Sequence, residues 1–358
     1  MSQESDFIVI GGGIAGVSAG AALSALGKVT LLEAESALGY HASGRSAALF
    51  VEGYGNPAVR ALTTASYDYH HQVGVLSDRG LMLVAGAERA EEFGQEYRDM
   101  HLEPIGLDEA LTRMPILNPG RIAHAAFSTD IWDIDTDLLL QGYARILRAH
   151  GEIVTGARVE AIMRTPTGWE VIADERDYTA KKLINAAGAW VDDVARMAGV
   201  QPLGFTPLRR SMARLPAPGG RNVSAWPMVF GSGNAWYAKP DAGALLVSPS
   251  EEDPCDPHDA WADDMVLAEG LARYEEMVTE PVTRLISNWA GLRTFAPDRN
   301  LVIGPDARDP NFLWCAGQGG YGFQTAPATA ILLADLVSGA KSELPLEALE
   351  NLRPDRLG

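Results

Sequence analysis

The chain opens on a short apolar run, Phe7-Ile8-Val9-Ile10, that breaks into small residues, Gly11-Gly12-Gly13-Ile14-Ala15-Gly16. That pattern predicts a buried strand, a glycine turn and a helix over 14–26. A second apolar run, Val29-Thr30-Leu31-Leu32, ends on Glu33-Ala34. Later runs repeat the plan. Leu183-Ile184-Asn185 runs into Ala186-Ala187-Gly188-Ala189-Trp190, with a helix expected through 194. Phe312-Leu313-Trp314-Cys315-Ala316 meets a glycine-rich turn, with a helix expected over 326–337 and closed by Ser338-Gly339. Between these lie a helical period over 137–150, a strand over 152–155 and two strands, 169–173 and 178–184, expected to pair. Two stretches have a different texture. One has a strand at 81–84 and a charged amphipathic helix over 87–100. The other has short runs at 226–230, 235–238 and 244–248, separated by Gly, Pro and Asn, which suggest an antiparallel sheet. A helix over 263–278 follows. We assign 1–78, 137–204 and 289–358 to one domain, and 79–136 and 205–288 to a second.

The first turn has the form of a dinucleotide site. Gly11 permits the tight turn, Gly13 lets backbone approach a pyrophosphate, and Gly16 lets helix and strand pack closely. Ile14 and Ala15 begin a helix whose free N–H groups face phosphate. Glu33 is placed to accept from ribose hydroxyls. It disfavours a 2′-phosphate and so NADP, while NAD and FAD both remain. The segment Ser43-Gly44-Arg45-Ser46-Ala47-Ala48 favours FAD. Its donors Ser43, Arg45 and Ser46 fit a chain running back along the pyrophosphate, the alternative being a helix cap with a surface arginine. The turn Gly319-Gly320-Tyr321-Gly322-Phe323-Gln324-Thr325 supports the same choice, because backbone N–H groups before a helix face developing negative charge. Val159, Ala187, Gly188 and Trp190 complete the expected cofactor contacts. No second GxGxxG is present for a separate nicotinamide site.

These motifs, with GLRTFAPDRNLVIGP (residues 291–305), resemble the D-amino acid oxidase-like flavoprotein superfamily nearly end to end. Within it, GYHASGRSAA, DIDTDLLLQGYAR (133–145), LRRS (208–211), YAKPDAG (237–243) and WAGLRTF (289–295) look closest to bacterial D-arginine dehydrogenase. The resemblance implies an α/β fold: an FAD-binding Rossmann-like domain of the glutathione-reductase type, plus an antiparallel-sheet α+β substrate domain. It implies oxidative deamination by hydride transfer from Cα to flavin N5, the imino acid then hydrolysing to a 2-oxo acid and ammonia. Arg293 would clamp the substrate carboxylate, with Tyr237, Tyr54 and Arg210 lining the same pocket and Gln324 by the flavin or substrate. No side-chain base is required.

The chain departs from the D-arginine pattern where the side chain would lie. Leu81 stands at the position of the guanidinium-binding glutamate, Leu49 and Val51 replace a histidine and a threonine, and Phe230 replaces a smaller valine. Together with Met228 these make an apolar pocket, so a neutral or hydrophobic D-amino acid is expected. Two alternatives are an oxidase of secondary amines, such as N-methyl amino acids or cyclic imino acids, and a flavin-binding electron-transfer subunit. Sarcosine-oxidase relatives carry a lysine near the flavin and a cysteine that attaches it. The strand 244–247 has no lysine and 294–297 no cysteine. Non-covalent FAD and a quinone or other carrier as acceptor are therefore expected.

Composition adds limits. A chain of 358 residues accommodates two domains. A net charge of −18 argues against nucleic acid and anionic membranes. The two cysteines, Cys255 and Cys315, form no CxxC and fit a reduced cytoplasm; Cys315 is expected to pack as a small apolar residue. The chain enters its first strand at once, leaving no room for a signal peptide, and has no apolar run of membrane-spanning length. The seven histidines show no metal spacing, and His70 and His71 are expected at the surface. Composition does not set the oligomeric state.

Overall fold

The computed structural model describes residues 3–357. The first apolar run forms the strand Gln3–Ile10, at the centre of an eight-stranded sheet. It is flanked in parallel by Val29–Leu32 on one side and Arg176–Asn185 on the other. Gly151–Val154 extends the sheet in parallel beyond Val29–Leu32. Arg176–Asn185 is shared along its length. Its first half pairs antiparallel with Gly168–Ala173, and its last three residues pair in parallel with Phe312–Ala316. The central strands are buried on both faces, which is why they read as unbroken apolar runs. One face packs on the helices Ile14–Leu23, Thr136–His150 and Gly322–Ser338.

The second sheet has nine strands. Its pairs are antiparallel except Leu81–Ala85 with Met228–Gly231, which run in parallel. Alternation sorts its side chains. Met82, Val84, Ala213, Leu215, Val229, Trp236 and Val247 pack on one face, against the side that carries the helices Leu107–Arg113 and Asp264–Glu276. Leu81, Leu83, Met212, Met228, Tyr237 and Leu246 form a separate cluster on the opposite face. Ser287–Phe295 belongs to this sheet, paired over nine residues with Thr206–Pro216. The residues from 289 that were expected to close the first domain therefore begin inside a strand of the second. A small three-stranded sheet, Leu49–Phe50, Trp132–Ile134 and Leu76–Asp78, lies at the junction.

Two expectations change in the helices. The last long helix begins at Gly322, not 326, and contains Pro327. Proline has no N–H, so the carbonyl of Phe323 loses its partner within the helix. His70 lies beside it, with Nε2 3.0 Å from Phe323 O and Nδ1 2.8 Å from Ser66 O. His70 is thus fully buried rather than at the surface, on the face of Pro57–Gln72 that carries Leu62, Thr63 and Ser66. Burial holds its pKa below the ordinary imidazole value, against the pull of the two carbonyls. His71 is exposed, as expected. No helix among the described residues is long and apolar enough to cross a membrane.

Candidate active site

A cleft of about 350 Å³ runs between the two sheets. At one end the glycine turn does what its spacing predicts. Gly11 has φ +109°, and a Cβ there would strike the Ala186 carbonyl. A Cβ on Gly16 would strike the Gly11 carbonyl oxygen. Gly13, Ile14 and Ala15 border the cleft. Glu33 is buried, accepting from Gly12 N through Oε2 and from Glu35 N at 2.7 Å through Oε1. Each oxygen keeps a free lone pair for a hydroxyl. Ala34, Val159, Ala187, Gly188 and Trp190 border the same end.

Ser43, Arg45 and Ser46 line the middle, and Ala47 follows toward Tyr237. Ser43 Oγ accepts from Ile14 N at 3.0 Å, at the start of the first helix. Arg45 is committed elsewhere. Its Nη1 donates to Ala260 O and Ala290 O, both at 2.8 Å, and its Nη2 pairs with Asp259. In this arrangement Arg45 ties the cofactor segment to the substrate sheet instead of offering its fork to phosphate. The other expected contacts, Gly16, Gly44, Ala48, Tyr321, Gln324 and Thr325, do not border the cleft; Gly16, Gln324 and Thr325 are buried, Ala48 and Tyr321 half-buried and Gly44 exposed.

The other end carries Gly319, Gly320, Gly322 and Phe323 at the start of the last long helix. That helix has no side-chain cap and no acid in its first turn, and the same holds for the first helix. Two helix N-termini thus face one cleft, each a site of partial positive charge, the first with only Ser43 Oγ on its Ile14 N–H. This fits a ligand with a pyrophosphate in the middle and a ring that gains negative charge at its far end.

Arg293, Arg210 and Tyr237 meet at this ring end. Strand register explains it: Arg210 faces Gly291 across the ladder and Arg293 faces Leu208, so the two arginines are diagonal neighbours on one face. Arg210 is 6% exposed. It donates to Glu251 O at 2.9 Å and pairs with Glu252 at 3.1 Å, and its charge lies 5.9 Å from the Tyr237 ring centre. Burial, then the charge of Arg293, push the Arg210 pKa down. Arg293 makes no hydrogen bond or ion pair among the described residues, and packs close to Gly320. Tyr237 donates to Met212 Sδ at 3.4 Å. Tyr54 stands behind the lining with its ring 5.2 Å from that of Tyr321, whose hydroxyl burial pushes up to about 12.

Gln324 does not reach the cleft. Its Nε2 donates to Thr63 Oγ1 at 3.0 Å and its Oε1 faces Val51 N at 3.4 Å, tying the two long helices together. Leu81, Val51 and Met228 are buried in one cluster with Tyr237 and Met212, with Leu49 and Phe230 packed against it. They lie behind Tyr237 and Met212, which border the cleft. Cys315 is buried, its thiol pushed up to about 12 by desolvation.

Several lining residues had not been singled out: Gly12, His41, Asp193, Met212, Thr294 and Gln318. His41 lay inside the GYHASGRSAA segment. Met212 follows Arg210 at the period of two expected of a strand, so alternation alone could have found it. The strand 244–247 lacks a lysine, but its neighbour presents Lys239 directly opposite Leu246.

The family described as FAD dependent oxidoreductase (DAO) matches residues 6–336, and the chain belongs to it. A glycine oxidase of Pseudomonas putida is 24% identical over 93% of this chain and 94% of its own. The bovine (Bos taurus) FAD-dependent oxidoreductase domain-containing protein 1 is 23% identical over 94% of this chain and 81% of its own. Among solved structures, an L-proline dehydrogenase from P. horikoshii superposes with a TM-score of 0.83 at 19% identity, covering 99% of this chain and 100% of its own. A glycine oxidase from Geobacillus kaustophilus gives 0.82 at 20% identity, covering 96% and 97%. The protein is an FAD-dependent oxidoreductase, and its fold is that of the solved glycine oxidase and L-proline dehydrogenase. The resemblance to D-arginine dehydrogenase rests on motifs alone.

Proposed function

We propose that this enzyme oxidatively deaminates a neutral D-amino acid with an apolar side chain. The observation that carries the reading is Arg293: a guanidinium inside the cleft, always protonated, with no partner of its own among the described residues. An arginine so placed calls for an anion from outside, and its planar fork matches a carboxylate. Tyr237 and Arg210 narrow the site around it. Bound FAD supplies the two-electron oxidation of the Cα–H bond, and the chain's task is to hold that bond against the ring. The cluster around Leu81, Val51, Met228 and Phe230 backs Tyr237 and Met212 with apolar side chains and offers no countercharge there. The D enantiomer follows from the motif resemblance. As acceptor we propose a quinone or another carrier, which oxygen uptake during turnover would contradict.

The test is anaerobic bleaching of the flavin by a panel of D-leucine, D-methionine, D-arginine, their L enantiomers, sarcosine and L-proline. D-Leucine or D-methionine should reduce it fastest. Faster reduction by sarcosine or proline would replace this reading with secondary-amine oxidation. A preference for D-arginine would show that another carboxylate serves the guanidinium. The apolar side chain gains roughly 25 cal/mol per Å² buried, whereas a cation loses water and finds no partner.

A further inference from the structure

A half-buried charge cluster lies beside the ring end of the cleft. Arg79 holds Asp133 Oδ2 through Nε and Nη2, each at 2.7 Å, and donates through Nη1 to Ser224 O and Trp226 O. Lys239 Nζ stands 2.7 Å from the other carboxylate oxygen of Asp133 without the alignment of a hydrogen bond. The same Nζ donates to two successive carbonyls, Ala47 O and Ala48 O, both at 3.3 Å. The three side chains are only 12–16% exposed. Two cations share one anion, so the cluster carries one excess positive charge in a poorly hydrated place.

Its position is fixed by register. Lys239 lies two residues beyond Tyr237 on one strand, so both side chains leave the sheet on the face turned to the cleft. Ala47 borders the cleft. Lys239 therefore sits directly behind the cofactor segment at the end where Tyr237 and Arg293 meet. A flavin ring that takes up two electrons and one proton gains one negative charge. The cluster's side chains are only 12–16% exposed, so water screens their charge less than it would at the surface.

We propose that Lys239, set against Asp133 and Arg79, is a positioning residue that raises the reduction potential of the bound flavin by placing one uncompensated positive charge behind Ala47. It rests on FAD binding in this cleft, not on the identity of the amino acid oxidised.

The experiment is an anaerobic reductive titration of the holoenzyme against reference dyes, with no amino-acid substrate present. At a fixed dye poise, Lys239→Met should lower the reduced-to-oxidised flavin ratio. Asp133→Asn, which leaves the two cations unbalanced, should raise it. For unit charges about 10 Å apart in a medium of effective dielectric constant about 20, each change is roughly tenfold in that ratio. Lys239→Arg keeps the charge and should restore the parent value. A merely structural role would move the Met and Asn variants in the same direction, and that result would overturn the proposal. So would an unchanged ratio in Lys239→Met, or an Arg variant that behaves like Met. If Lys239→Met loses its flavin, Lys239→Gln replaces it, since an amide still donates to Ala47 and Ala48; Asp133→Asn must in any case raise the ratio. Failure of the substrate panel leaves this titration unaffected, so the two proposals fail separately.

Discussion

Replacing Arg293 separates binding from folding, because the side chain has no partner among the described residues. In the proposed complex its fork makes two charge-assisted hydrogen bonds to the substrate carboxylate. Such bonds are worth about 1.5–3 kcal/mol each. Arg293→Met loses both, and kcat/KM should fall roughly 10²- to 10⁴-fold. Arg293→Lys keeps a point charge but loses the fork, and should fall by about tenfold to a hundredfold. The free protein loses no hydrogen bond in either variant, and the neutral methionine side chain would relieve the repulsion felt by Arg210. The melting temperature should accordingly stay within about 2 °C of the parent. The assay is the anaerobic flavin-reduction rate against amino-acid concentration, with flavin content and melting measured on the same samples. An unchanged kcat/KM would show that Arg293 is not the clamp. A loss of activity that tracks loss of flavin or of melting temperature would show that it serves the fold instead.

Gly16→Ala should yield protein that binds little or no FAD, since a methyl group there meets the Gly11 carbonyl that shapes the turn; normal flavin content in the purified variant would refute this. Asp259→Ala should speed flavin loss on dilution, followed by the rise in free-flavin fluorescence, because it removes the partner that holds Arg45 against the substrate sheet; an unchanged rate would show that Arg45 does not help retain the cofactor. Acid precipitation should leave FAD in the supernatant, and a yellow pellet would mean a covalent bond.

The local sequence determined whatever depends on neighbours along the chain. Continuous apolar runs marked strands buried on both faces, and Gly11 and Gly16 marked a turn that tolerates no Cβ. Asp135 and Asp263 now stand as N-caps of their helices, accepting from Leu138 N and from Met265 N and Val266 N. Glu33 at the end of its strand was readable because strand and acid are contiguous.

Tertiary structure decided what depends on register between distant segments. Ser287–Phe295 joined the second sheet because it pairs with Thr206–Pro216, a partner about eighty residues away. That pairing set Arg293 beside Arg210. His70 looked like a surface histidine until Pro327 left Phe323 O without its helical donor and the helix Pro57–Gln72 set the His70 ring beside that oxygen. Gln324 and Arg45 had the right chemistry for the cleft, yet each found its partners in other segments, Thr63 in one case and Asp259 in the other. The cluster of Arg79, Asp133 and Lys239 draws on three separate strands or their edges, and no spacing along one segment encodes it. A side chain's type and period limit what it can do, but the atoms it meets come from segments folded against it.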